Sequence, residues 1–548
     1  MKMARAKRIE EIAIELTNQM SVAETAGELD AVYTMHEIFA SMSYYKSHPE
    51  DLRFIELSDD KLKRKSIMAI VRGKKSDSKK TVLMIGHTDT VGISDYGNLK
   101  QWAHKPYELT EKFKELELPP EVKKDLDSGE YLFGRGLFDM KTGDAVIMTI
   151  MEELSDDIDN FEGNLIFCGV CDEEGNSRGM LSCVPELVKI QESEHLEYTA
   201  LLDTDYMTSE YEGDENKYVY VGTVGKIMPT FYVVGKETHV GEAFKGLDPN
   251  QISAAIINRV NLNTEYCDVV DGEVSLPPIT LKNKDLKPEY SCQIAKTAYL
   301  YFNYSTQSST PDEVLLKMKK AAEDSFEEVI RRLNSQYEAY CKLAKREFQK
   351  LPWEPRVLTY EELYSKVKLE MGEELDIKLE KYMDELMEKE EYDIRDRSMK
   401  IAEYVHSLWS DRNPVVIVYF TPPYYPHVYV EGSTEKEKNL LNAVADAVEK
   451  TDTDYKVVYK KFFPYISDLS YASAPKDPKI IASVKMNMPG FGKTYKLPLE
   501  DMQKLDLPVL DIGAFGKDAH KFTERIEKRY SFEVTPELVH RTIMNLLK

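Results

Sequence analysis

Cysteine is scarce in this chain: six residues in 548, at positions 168, 171, 183, 267, 292 and 341. So thin a set excludes a disulfide-stapled scaffold. Cys168 and Cys171 have the spacing of a redox or zinc pair, yet they fall in the apolar run Leu165 to Cys171, which reads as a buried strand, and no second pair complements them. They are read as packing residues. Long apolar runs are missing too. Nothing approaches the roughly 18 residues of a membrane span, and the start, MKMARAKRIEEIAIELTNQM, has helical periodicity without an apolar signal stretch or a small-residue cleavage site. The expectation is a cytoplasmic protein. Basic charge is in deficit, 72 Lys and Arg against 96 Asp and Glu, for a formal net charge of -24. Such a field repels polyphosphate and anionic lipid, so neither nucleic acid nor membrane is expected as a partner.

What is present suits a folded, multidomain protein. Hydrophobic residues make up 42% and charged residues 31%, ordinary for a globular chain, and 548 residues exceed the roughly 250 to 300 at which a single core stops growing. Residues from about 5 to 45 look helical, and strands are predicted at Lys65 to Val71, Thr81 to Ile85, Leu165 to Val170 and Thr199 to Leu202, with a helix over Thr142 to Leu154. Strands alternating with helices indicate an α/β sheet with crossover connections. After Gly222-Thr223-Val224-Gly225 the pattern changes to a strand at Lys226 to Val234, a helix from Pro249 to Arg259 and strands near Gln293 to Asn303. A charged helical region fills 311 to 410, with Thr310 as N-cap and Pro311 in the first turn. A strand at Pro414 to Phe420 leads into an aromatic loop, TPPYYPHVYV; a helix at Glu435 to Glu449 and a strand at Pro508 to Asp511 follow.

Chemistry gathers at strand ends. The Thr81 to Ile85 strand delivers Gly86-His87-Thr88-Asp89 at its C-terminal end, where open α/β sheets place their ligands. His87 and Asp89, two apart in extended chain, point the same way, so one can bind a metal while the other orients it. In Gly134-Arg135-Gly136-Leu137-Phe138-Asp139 two turn-permitting glycines precede an aspartate whose bland role is a helix N-cap. Asp172-Glu173-Glu174 puts three acids directly after a buried strand, where their repulsion is costly without a cation. Asp203 and Asp205 follow the strand ending at Leu202, and the turn Gly516 to Arg525 carries His520 and Glu524. Each element is ordinary alone. Together they offer two histidines and at least three carboxylates in fixed order, a mixture suited to a pair of zinc ions.

In that order GHTDTV, GRGLFDMK, DEEG, the later acid, GTVGK followed by THVG, and AHKFTER resemble the motifs of the co-catalytic zinc peptidase and deacylase family, which includes acetylornithine deacetylase, succinyl-diaminopimelate desuccinylase, aminoacylase, tripeptide aminopeptidase and carboxypeptidase G. The likeness covers most of the chain, and the charged middle and PPYYPH segment look most like the RocB-type arginine-utilisation branch. It implies an α/β, zinc-peptidase-like catalytic domain (residues 1–225 and 431–548) with a mainly helical, enlarged α+β lid domain (226–430) inserted. It also implies two zinc ions, with manganese or cobalt as substitutes: His87 and Asp203 hold one, Glu174 and His520 the other, and Asp139 bridges. The family's spacing from Tyr198 favours Asp203 over Asp205. Asp89 would hydrogen-bond His87, Glu173 would be the general base, and His239 would match the lid histidine that polarises the scissile carbonyl, often supplied across a homodimer formed through the lid. Glu524 is expected in an ion pair rather than as a ligand.

Many relatives carry Asp-x-Arg on a lid strand to grip a substrate carboxylate. Here that stretch reads Tyr301-Phe302-Asn303-Tyr304-Ser305, without either charge. Tyr424, Tyr425 and His427 are read as packing residues. The function implied is a di-metal amidohydrolase acting on an N-acyl amino acid or small peptide, with a place in arginine or amino-acid catabolism. The alternatives are a metal-dependent aminopeptidase or carboxypeptidase on short peptides, and a non-catalytic binding or regulatory protein that retains the fold.

Overall fold

The apolar runs around Ile70, Met84, Phe167 and Leu201 are neighbouring strands of one eight-stranded sheet. A computed structural model describes residues 2–548. The sheet runs in the order Leu52–Glu56, Lys65–Arg72, Asn164–Val170, Lys80–His87, Glu197–Asp203, Val509–Asp511, Lys217–Tyr220, Val457–Lys460. Its central strands, from Asn164–Val170 to Val509–Asp511, are parallel. Parallel strands covered on both faces carry near-continuous apolar sequence instead of alternation, and every residue of Asn164–Val170 is buried. Register then decides where chemistry falls. His87 lies beside Val170, and Ile85 beside Asp203, so the chain leaves each strand towards one edge of the sheet.

Contact clustering divides the chain into two units: Met1–Thr223, Val428–Ala474 and Pro498–Lys548 form the first, and Val224–His427 with Pro475–Leu497 the second. In the first, the helix Thr142–Asp156 is apolar on most of its surface and accordingly buried. The N-terminal helix lies along it through ion pairs, Arg5 to Glu153 and Arg8 to Glu152 at 2.8 Å.

The second unit is built on a five-stranded sheet in the order Ile279–Asp285, Thr297–Thr306, Gly225–Val234, Val415–Tyr425, Val357–Thr359. Tyr232, Val234, Val415, Ile417 and Tyr419 share one apolar cluster with Leu363, Val367, Ile401 and Val405 of the helices Tyr360–Met371 and Ile394–Leu408. The alternate residues Phe231, Val233, Val416 and Val418 are also buried, on the opposite face. The charged region at 311 to 410 begins with a 33-residue helix, Pro311–Leu343, about 50 Å long. Thr310 and Glu313 close a capping box at its start.

Two expectations are corrected. The TPPYY segment is strand, not loop: Val415–Tyr425 runs through it, and both prolines fall where the register shifts between Thr421 and Tyr425, so neither is asked for a ladder hydrogen bond. The assignment of everything after residue 430 to the first domain also departs from the structure. Pro475–Leu497 joins the second unit, where Asn487 Oδ1 accepts the Glu361 N–H at 3.1 Å and the Tyr495 hydroxyl accepts the Tyr424 N–H at 3.2 Å.

Candidate metal centre

The strand ends of the first unit converge on Asp139. This residue sits in the turn Leu137–Lys141, 5% exposed, with non-helical backbone. Its Oδ1 lies 3.0 Å from His87 Nε2 and its Oδ2 2.9 Å from His520 Nε2, while Glu174 Oε1 is 3.0 Å from the same His520 nitrogen. Two groups of candidate ligand atoms result, each within 4.8 Å: His87, Asp139 and Asp205, and Asp139, Glu174 and His520. Asp139 belongs to both.

Asp205, not Asp203, is thus the acid whose carboxylate stands beside His87 and Asp139. Asp203 ends its strand with Asp511 beside it, and its carboxylate is occupied, accepting the Thr204 N–H at 2.8 Å and the Ser467 hydroxyl at 3.0 Å. Asp205, two residues further on, carries its carboxylate to His87 and Asp139. Spacing from Tyr198 could not detect this, because Ser467 lies 264 residues from Asp203.

Asp89 is used differently from the expectation. His87 Nδ1 is 3.1 Å from the Asp89 backbone carbonyl and 3.9 Å from its carboxylate. The carboxylate instead accepts the N–H groups of Glu173 and Glu174 at 3.1 and 3.0 Å, fixing the loop that carries the expected base and a ligand. Sequence reasoning missed Glu28, which accepts the N–H of Asp172 at 2.8 Å, and Arg64, whose guanidinium joins Glu28 and Asp172 at 3.0 and 2.7 Å. Glu28 reads as an ordinary surface charge on an amphipathic helix. Asp468, 2% exposed, was also missed; an acid two residues after the apolar run that ends at Ile466 was its only signal.

The donor set fits a pair of cations. With Nδ1–H given to a carbonyl, neutral His87 presents a lone pair from Nε2 to an Asp139 oxygen, an arrangement of two acceptors that needs a proton or a cation between them. His520 Nε2 faces two carboxylates at once. Against burial, those carboxylates push its imidazole up to about 11. Burial likewise opposes ionisation of Asp139, yet His520 and His87 hold its carboxyl well below the usual range. Glu173 shows the opposite: burial pushes it well above the usual range, with His87 pulling it down and the charges of Asp468, Glu174 and Asp205 pushing it up. Divalent cations would relieve that crowding. Glu524 is not in either group; it pairs with Arg135.

His239 belongs to the second unit. It stands exposed before the short turn Val240–Lys245, its Nδ1 accepting the Gly241 N–H at 3.1 Å, which leaves Nε2 as the donor nitrogen. Tyr424 and Tyr425 are buried in their strand. The cysteines are all free, Cys168 and Cys171 buried as packing residues.

A sheet whose parallel central strands and adjoining turns bring together five metal-competent side chains has the architecture of a metallopeptidase-type hydrolase. The chain belongs to peptidase family M20/M25/M40, whose profile matches residues 83–514. It is 34% identical to Protein RocB of Bacillus subtilis over 546 residues, 99% of this chain and 95% of that one. It is 36% identical to the uncharacterized protein YqjN of the same organism over 539 residues, 97% and 95% of the two chains. The fold is that of aminopeptidase PepT from Bacillus cereus, with a TM-score of 0.52 at 13% identity over 99% of both chains. Among the described residues no helix is long and apolar enough to cross a membrane.

Proposed function

We propose that this chain is a two-zinc amidohydrolase that cleaves the amide bond of an N-acyl amino acid or a small peptide, with Mn or Co able to replace Zn. The observation that carries this reading is the pair of overlapping ligand groups sharing Asp139. His87, Asp139 and Asp205 would hold one ion, and Asp139, Glu174 and His520 the other. Bound there, such ions lower the pKa of a coordinated water toward about 7 and stabilise developing negative charge. The chain's own residues supply the rest. The Asp89 carbonyl keeps His87 in the tautomer that offers Nε2, and the Asp89 carboxylate holds the amides of Glu173 and Glu174. Glu173, next to a ligand but outside both groups, takes the proton from the attacking water and returns it to the leaving nitrogen.

The RocB-type resemblance supports a place in arginine or amino-acid catabolism, so N-acylated basic amino acids head the substrate panel. The test is elemental analysis of the purified protein, followed by amide hydrolysis with and without chelator on two panels, N-acyl amino acids and di- and tripeptides. Two ions per chain with chelator-sensitive cleavage of the first panel is the expected result. Cleavage confined to peptides would favour the peptidase alternative, and no hydrolysis by fully loaded protein would leave a binding protein that retains the fold.

A further inference from the structure

The second ligand group depends on two segments far apart in sequence, the turn that carries Asp139 and the turn that carries His520. His520 is its most exposed member, 46% accessible at the side chain, and stands with φ +64 in a turn where Asp518 also has positive φ. That backbone is costly for residues other than glycine, so the turn needs external restraint. Four residues on, Glu524 provides it. Its Oε1 accepts the Gly136 N–H at 2.8 Å, its Oε2 accepts Arg135 at 2.5 Å, and its backbone carbonyl accepts the Gly134 N–H at 3.2 Å. One residue thus takes up the Gly134-Arg135-Gly136 turn from both its backbone and its side chain. Arg135 is 1% exposed and Glu524 is fully buried, and the other arm of the guanidinium reaches Asp95 at 2.7 Å. Beyond Glu524 the strand Arg525–Glu527 pairs with Tyr131–Phe133, so the two turns are joined side by side.

We infer that Arg135 and Glu524 are positioning residues for the second metal ion: the buried pair sets the separation of His520 from Asp139 and Glu174, and does not set the His87, Asp139, Asp205 group, which takes no residue from the Gly516–Glu527 hairpin. Neither side chain is a candidate ligand. The inference rests on the two-ion reading. Its signature is selective, a change at one ion with the other untouched, which a general loss of stability does not produce.

The test titrates chelator-stripped wild type and Glu524→Gln with Co2+, following heat and visible absorption. Gln keeps the volume and one oxygen for the Gly136 amide but loses the ion pair. Wild type should take up two ions per chain. In the variant the first ion should bind as in wild type and the second roughly 10- to 100-fold more weakly, the usual cost of losing a partner that orients ligands. Unchanged binding of both ions, or equal weakening of both, overturns the inference. Should wild type itself hold fewer than two ions, the two-ion reading fails first, and the distinction is made before any variant is examined. If Glu524→Gln does not fold, Arg135→Lys gives the same comparison, because an ammonium cannot span Glu524 and Asp95 as the planar fork does.

Discussion

Asp203 and Asp205 stand two residues apart and turn their carboxylates to different partners: Asp203 accepts the Ser467 hydroxyl at 3.0 Å, while Asp205 comes within 4.8 Å of the ligand atoms of His87 and Asp139. Replacement by asparagine tests the division, since it removes the charge at nearly constant volume. Asp205→Asn should lower metal content measured by elemental analysis. Asp203→Asn should leave it unchanged, because an amide oxygen still accepts from Ser467. Loss of metal from Asp203→Asn, with Asp205→Asn keeping the content of wild type, would return the ligand role to Asp203.

Glu173 offers a cleaner separation of binding from chemistry. It lies outside both ligand groups, on a loop whose amides Asp89 secures. Glu173→Ala should keep the metal content of wild type and lower kcat by roughly 10²- to 10⁴-fold, the range for losing a general base, with KM little changed. A variant with full turnover would move the base to another residue.

How much of this was legible in the sequence follows from how local each signal is. The central strands show as apolar runs because both sheet faces are covered, and His87, Asp139, Glu173, Glu174 and His520 stand in short motifs at strand ends and turns. Readings failed where the deciding partner is remote. Asp203 is held by a residue 264 positions away and Asp172 by Glu28 at a separation of 144, and no motif spans such distances. Pro475–Leu497 crosses to the second unit for the same reason: its attachments, such as Asn487 to Glu361, are tertiary. The TPPYY strand was hidden by its prolines, which are tolerated only because a register shift removes their ladder partners.

Removing the metal should expose the crowding of carboxylates. Burial raises Asp203 to about 6 and Asp468 to about 8, and each raised carboxyl stabilises the fold fully only below its unfolded value, losing that contribution as pH rises through the folded one. The stripped protein should therefore melt lower than the loaded protein, and the gap should widen between pH 6 and 8. Metal at about 100 times its Kd adds roughly 2.7 kcal/mol by mass action, before this relief. Calorimetric melting across that range decides the matter; a gap that narrows with rising pH would mean that the carboxylates are compensated without cations.

Acid stability should be governed with the opposite sign by buried histidines. His406 is 5% exposed and packs against Tyr232 and Trp409. Burial, with Arg412 and Lys296 nearby, lowers it from 6.5 to about 4. The unfolded chain then binds a proton that the folded chain refuses, so the stability contributed is complete above pH 6.5 and is lost as pH falls through about 4. At about 1.4 kcal/mol per pKa unit this amounts to roughly 3 kcal/mol for the one residue. His406→Phe keeps a ring between Tyr232 and Trp409 and abolishes the titration. Compared at pH 7 and pH 4.5 under the same metal loading, the variant should lose less melting temperature than wild type. Equal acid losses in the two proteins would show that His406 is protonated in the fold as readily as in the unfolded chain.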